Sequence, residues 1–199
     1  MAYQYKNIVI KCDTTPDDSS RFVLQTKGIN PLICIGLNPS KANLIESDLT
    51  MNRLENYANK NGFDSVLMFN LYPLRATDPN QLPIIKDQVL YDINIRKIKE
   101  DINKLKPTKI LIACGSDIRK RDYFKKALRE IDKIVKENNI QWLSLGLTKK
   151  GFPRHPSRGK YHDLVDFDMA MFLQNIWLYD ETTTYPRYFI PLYSAIITS

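Results

Sequence analysis

Asn38, Asn70 and His155 are the side chains of this 199-residue chain best placed to do chemistry, each standing in a short polar string at the end of an apolar one. The strings are Gly36-Leu37-Asn38-Pro39-Ser40, Asn70-Leu71-Tyr72-Pro73-Leu74-Arg75 and Arg154-His155-Pro156-Ser157-Arg158, with Gly115-Ser116-Asp117 following the apolar run that ends at Cys114. A carboxamide presents a donor and an acceptor together, and a histidine can donate or accept near neutral pH. Asn-Pro and His-Pro are also ordinary turn dipeptides. Their joint appearance at the ends of several strands is harder to assign to turn chemistry alone. The two histidines, His155 and His162, together with Asp163 or Asp166, have irregular spacing and no defined fourth ligand, so no metal site is expected. The three cysteines, Cys12, Cys34 and Cys114, lack CxxC spacing and read as reduced thiols, too few for a four-cysteine zinc site or an iron-sulfur cluster.

Those strings need a scaffold that gathers them. Pro31 to Leu37, Ser65 to Phe69, Lys109 to Cys114 and Gln141 to Leu145 are continuous apolar runs, the mark of strands buried on both faces of a parallel sheet. Helical patterns separate them: Asp48 to Asn61, capped by Ser47 or Asp48 and ended by Gly62, then Gln88 to Leu105, then Ile118 to Glu137. Alternating residues in Lys6 to Cys12 and Arg21 to Thr26, joined by a polar loop, predict an N-terminal hairpin. Strands alternating with helices predict an α/β fold, a three-layer α/β/α sandwich around a mostly parallel central sheet. In such sheets ligands bind outside the carboxyl ends of the strands, where Asn38, Asn70 and His155 all fall.

Composition sets the outer limits. Hydrophobic residues make up 43% and charged residues 26%, with 7 Gly and 11 Pro, which excludes collagen-like and low-complexity classes and fits one folded domain. Twenty-nine basic against 22 acidic residues give +7, a balance that suits a polyanionic partner and also occurs in proteins that merely stay soluble. No apolar run approaches the ~20 residues of a membrane span and the opening residues lack a signal-peptide pattern, so a cytoplasmic protein without a membrane partner is expected.

The Gly-x-Asn-Pro turn at Gly36 to Pro39, the strand SVLMFN ending at Asn70 and the His-Pro-Ser turn at His155 to Ser157 together resemble the uracil-DNA glycosylase superfamily, over roughly residues 31–163. Within it, the strings IGLNPSKAN, NLYPLRATDP and GLTKKGFPRHP resemble a bacterial and phage family described as a domain of unknown function. Two departures from the superfamily stand out. Asn38 occupies the place of the catalytic Asp of the fastest branch, as in the mismatch-specific branch, and the cysteines of the iron-sulfur branches are missing.

The resemblance implies a uracil-DNA glycosylase-like fold and hydrolysis of an N-glycosidic bond in DNA after base flipping. It implies His155 as the donor to the carbonyl oxygen of the departing base and Asn38 as the residue that orients the attacking water. Asn70 would read the pyrimidine edge, with Tyr72 stacked on the flipped base and Gly36, Leu37, Pro39 and Ser40 shaping the site. Ser157, Arg158 and Arg154 would hold DNA phosphates. Asp48, Arg53 and Arg75 belong to the closer family's pattern. Two readings stand side by side for them, contacts to a polar substituent in the pocket, or a helix N-cap for Asp48 and structural ion pairs for the arginines.

The expectation is thus a single glycosylase-like domain over 1–199, with a hairpin at 1–28, a core at 29–168 and a C-terminal extension at 169–199. It would act as a monomer, without cofactor, on a modified or mispaired pyrimidine in DNA, in repair or in defence against phage. The alternatives are a non-catalytic nucleic-acid-binding protein on the same fold and a nucleoside or nucleotide hydrolase.

Overall fold

A computed structural model describes residues 3–158 and 163–176. The expected hairpin forms from β1 (Val9–Thr14) and β2 (Arg21–Thr26), paired antiparallel with Val9 opposite Thr26 and Thr14 opposite Arg21. β1 runs two residues beyond the alternating stretch because that register carries pairing into the polar loop. Then follow β3 (Pro31–Gly36), α1 (Leu49–Lys60), β4 (Ser65–Asn70), α2 (Gln88–Leu105), β5 (Lys109–Ile112), α3 (Asp122–Glu137), β6 (Gln141–Ser144), β7 (Val165–Asp166) and α4 (Met169–Asn175).

The strands form one seven-stranded mixed sheet in the order β1-β2-β4-β3-β5-β6-β7. The four continuous apolar runs are its parallel centre, β4-β3-β5-β6, and the outer strands pair antiparallel. Successive residues of a strand face opposite ways. Accordingly Ile33 and Ile35 join the core beneath α2 and α3, with Tyr91, Ile98, Phe124 and Leu128, while Leu32 and Cys34 join a second core with Met51, Leu54 and Tyr57 of α1. The chain leaves β3 toward β4 on one side and reaches β5 on the other, which opens a crevice at the carboxyl ends of these strands.

Helix boundaries follow their caps. Asp48 Oδ1 accepts from the Met51 N–H at 2.9 Å and starts α1, so the N-cap reading of this residue is realised. The third helical pattern is split: residues 116–120 form a 3-10 turn, Arg121 is extended, and α3 begins at Asp122. Tertiary bonds hold the break, because the Arg121 guanidinium donates to the carbonyls of Asn80 at 2.9 Å and Leu82 at 2.6 Å. Among the described residues no helix is long and apolar enough to cross a membrane. His162 and residues 177–199, most of the expected C-terminal extension, lie outside the described residues.

Candidate functional site

One cavity of about 460 Å³ opens at the carboxyl ends of the central strands. That volume lies within the range of small-ligand sites. Asn38, Asn70 and His155 all line it, as do Leu37, Pro39, Ser40, Asp48, Arg154, Ser157 and Arg158. Asn38 and His155, 117 positions apart in the chain, thus line the same cavity.

Asn70 closes β4 and is 1% exposed, yet neither its Oδ1 nor its Nδ2 has a hydrogen-bond partner. A buried amide left unpaired costs roughly 1–3 kcal/mol per polar group, so such a group in a cavity wall is set up to be completed by something that enters. Two neighbours fix its position. Asn94 of α2 donates from Nδ2 to the Asn70 carbonyl at 2.9 Å. Gly36 leaves the space that the amide fills, since a Cβ there would stand 2.8 Å from Asn70 Oδ1 and closer still to Met68 Cε.

Asn38 is clamped by its amino group, which donates to the carbonyls of Pro39 at 3.0 Å and Ala76 at 2.8 Å. Both N–H bonds are thereby used, and Oδ1 is the acceptor left to a ligand or water.

His155 sits in a tight turn in which the Arg158 N–H donates to the His155 carbonyl at 3.1 Å. The Ser157 N–H donates to Nδ1 at 3.3 Å, with Ser157 Oγ 2.8 Å from the same nitrogen. An Nδ1 that accepts leaves the ring hydrogen on Nε2. Burial, helped by the positive Arg158 nearby, pushes the imidazole down to about 4 against the opposing pull of Asp48 and Asp117. His155 is therefore neutral at physiological pH, a donor through Nε2–H rather than a cation. Gly115, at φ +68°, passes beneath it, where a Cβ would lie 3.5 Å from His155 Cβ.

Four expected site residues lie elsewhere. Tyr72, expected to stack on a base, does not line the cavity: it is 1% exposed, its ring packs 4.7 Å from that of Tyr123, and its hydroxyl accepts from the Asp87 N–H at 2.9 Å. The chain turns after Asn70, which carries Tyr72 into the core beneath α2 and α3. Arg53 braces the His-Pro-Ser turn from α1, donating to the Pro156 carbonyl at 2.9 Å. Arg75 spans loops, donating to the Ser40 carbonyl at 2.7 Å and pairing with Asp18 at 3.0 Å, which is the structural reading of this residue. Gly36 acts through Asn70, as described.

Arg21, Thr50 and Thr148 also line the cavity and carried no role in the sequence reading, while the Gly115-Ser116-Asp117 turn, a strand-end string without an assigned role, lines it too. Asp117 reaches Arg158 at 3.5 Å, tying that turn to the one holding His155. Cys114 also lines the cavity, but burial pushes its thiol up to about 12, so it carries no thiolate for nucleophilic attack.

Residues 21–157 match the family described as "Protein of unknown function (DUF1643)". No curated protein and no solved structure matches the chain.

Proposed function

We propose that this chain, which belongs to the DUF1643 family, takes a base extruded from DNA into its cavity and hydrolyses the N-glycosidic bond. The observation that carries the reading is Asn70, a buried carboxamide with both polar atoms unpaired in the wall of a cavity that also holds a neutral histidine. A pyrimidine edge presents the matching donor and acceptor groups, and a flipped base is read by such hydrogen bonds.

In the reaction the bond between C1′ and the base nitrogen breaks, and its electron pair leaves with the base. Negative charge then develops on the base carbonyl oxygen, where His155 Nε2–H is the donor suited to stabilise it. Water bonds to C1′, held through Asn38 Oδ1, and its proton ends on the departed base. An amide takes up no proton, so the attack receives little general-base help and depends on a good leaving group. This favours a modified or mispaired pyrimidine, whose extrusion also costs least. Arg154, Arg158 and Ser157, around His155, suit phosphate oxygens, and the net charge of +7 suits DNA.

The fold belongs to the same reading: a three-layer α/β/α domain of uracil-DNA glycosylase type, supported by the two cores on opposite faces of the sheet, acting as a cytoplasmic monomer in repair or phage defence. The amide at position 38 also favours a second reading, recognition of a base without turnover. Incubation with duplexes of differing base content, followed by alkaline cleavage, separates the two. Abasic sites establish hydrolysis, whereas salt-sensitive binding without them establishes recognition only.

A further inference from the structure

Arg21 opens β2, and because β2 runs antiparallel to β4 with Leu24 opposite Met68, it stands beside the carboxyl end of β4. Its own N–H donates to the Pro73 carbonyl at 2.9 Å. The residue is 2% exposed and lines the cavity that Asn70 lines. Its guanidinium donates through Nη1 to the Ala42 carbonyl at 2.6 Å, but Nε is buried without a partner. Among the described residues no carboxylate comes within ion-pair distance of Arg21.

A guanidinium keeps its charge in a protein, and a buried charge without a counter-charge is costly. Two influences make it more so here: burial works against the charge, and so does the positive Arg75, whose own partner is Asp18. Asp48 is the acidic group that opposes them, and its Oδ1 already caps α1. A guanidinium in the wall of a ligand-sized cavity, with Nη1 on the Ala42 carbonyl and Nε still without a partner, matches one chemical class above others, because its donors fit a carboxylate or phosphate.

We infer that the cavity holds an anion subsite at Arg21, so that its ligand presents a negatively charged oxygen group as well as an edge for Asn70. The inference rests on the proposed base-binding role of this cavity and narrows its substrate class. The anion comes either from an acidic substituent on the base or from the phosphate of a nucleotide.

Binding without turnover tests this. Isothermal titration of the full chain is carried out with uracil and cytosine, their 5-carboxylates, the deoxynucleosides, and dUMP and dCMP. The anionic member of one pair should bind about 10–100-fold more tightly than its neutral parent, the range expected for hydrogen bonds to a charged group. Preference confined to the 5-carboxylates identifies a base substituent, and preference confined to the monophosphates identifies a nucleotide phosphate. Arg21→Met should bring the ratio to about one, and Arg21→Lys should keep part of it, with circular dichroism and thermal melting showing that both fold. If Arg21→Met does not fold, Arg21→Gln takes its place. Equal affinity within every pair, no binding by any anionic member, or a preference that persists without Arg21 overturns the subsite. Abasic-site formation bears separately on hydrolysis: if it is absent while the anion preference holds, hydrolysis fails and the subsite stands.

Discussion

The Arg53 guanidinium donates to the Pro156 carbonyl oxygen at 2.9 Å, a contact across 103 residues that fastens α1 to the turn carrying His155. The sheet aligns strand ends, but it does not orient a loop that begins ten residues beyond β6. That task falls to Arg53, together with the bond between the Arg154 N–H and the Gly146 carbonyl at 3.1 Å.

Arg53→Met should therefore loosen the turn. Loss of a hydrogen bond from a charged donor costs roughly 1.5–3 kcal/mol, to be read from urea unfolding. Excision should fall through the chemical step, with the affinity for DNA little changed. Arg53→Lys should restore part of the stability, since it can donate to one carbonyl.

Gly36→Ala tests the fit beneath Asn70. The new methyl meets Asn70 Oδ1 and the flexible end of Met68, so overpacking should cost about 1–3 kcal/mol and turn the amide away from its place. Ligand affinity should drop by more than the loss of stability explains, measured by titration at a temperature where the variant is fully folded.

The titration of His155 has a defined sign. Its folded value of about 4 lies below its unfolded value, so between about 4 and ~6.5 the unfolded chain binds a proton that the folded chain does not. Its contribution is present above ~6.5 and is lost as pH falls toward 4, by up to about 3 kcal/mol. His155→Gln should flatten that segment of the stability curve in paired unfolding experiments at pH 4.5 and 7. Excision should stay level from pH 8 to 5 and decline only as pH approaches 4.

Tyr72→Phe removes the acceptor for the Asp87 N–H while keeping the ring in the core. The expected loss is about 1 kcal/mol of stability with no change in base release. A specific loss of activity would return Tyr72 to the site.

Much of this arrangement was legible in the residues. The continuous apolar runs marked the parallel centre of the sheet, and the strand-end rule brought Asn38, Asn70 and His155 together, as the cavity wall shows. What could not be read was where a side chain points once its strand has ended. Asn70 and Tyr72 are two residues apart, yet one lines the cavity and the other is buried under α2 and α3, because the intervening turn breaks the alternation. Arg21 was hidden for a related reason. Nothing in the alternating stretch RFVLQT marks its first residue as buried, and the pairing of β2 with β4 is what places it there. Asn94, inside the long pattern of α2, likewise shows its role only through its bond to the Asn70 carbonyl.

A role for His155 and Asn70 in hydrolysing a base from DNA is read from single-turnover abasic-site yield on duplexes carrying uracil, mismatched thymine and 5-substituted pyrimidines, with wild type and His155→Ala side by side. Abasic sites should form with at least one modified or mispaired pyrimidine and with no normally paired cytosine or thymine, and the yield should fall ~10²–10³-fold in His155→Ala with DNA binding preserved. Release of purines alone, equal yields from wild type and variant, or no abasic sites on any duplex would rule that role out.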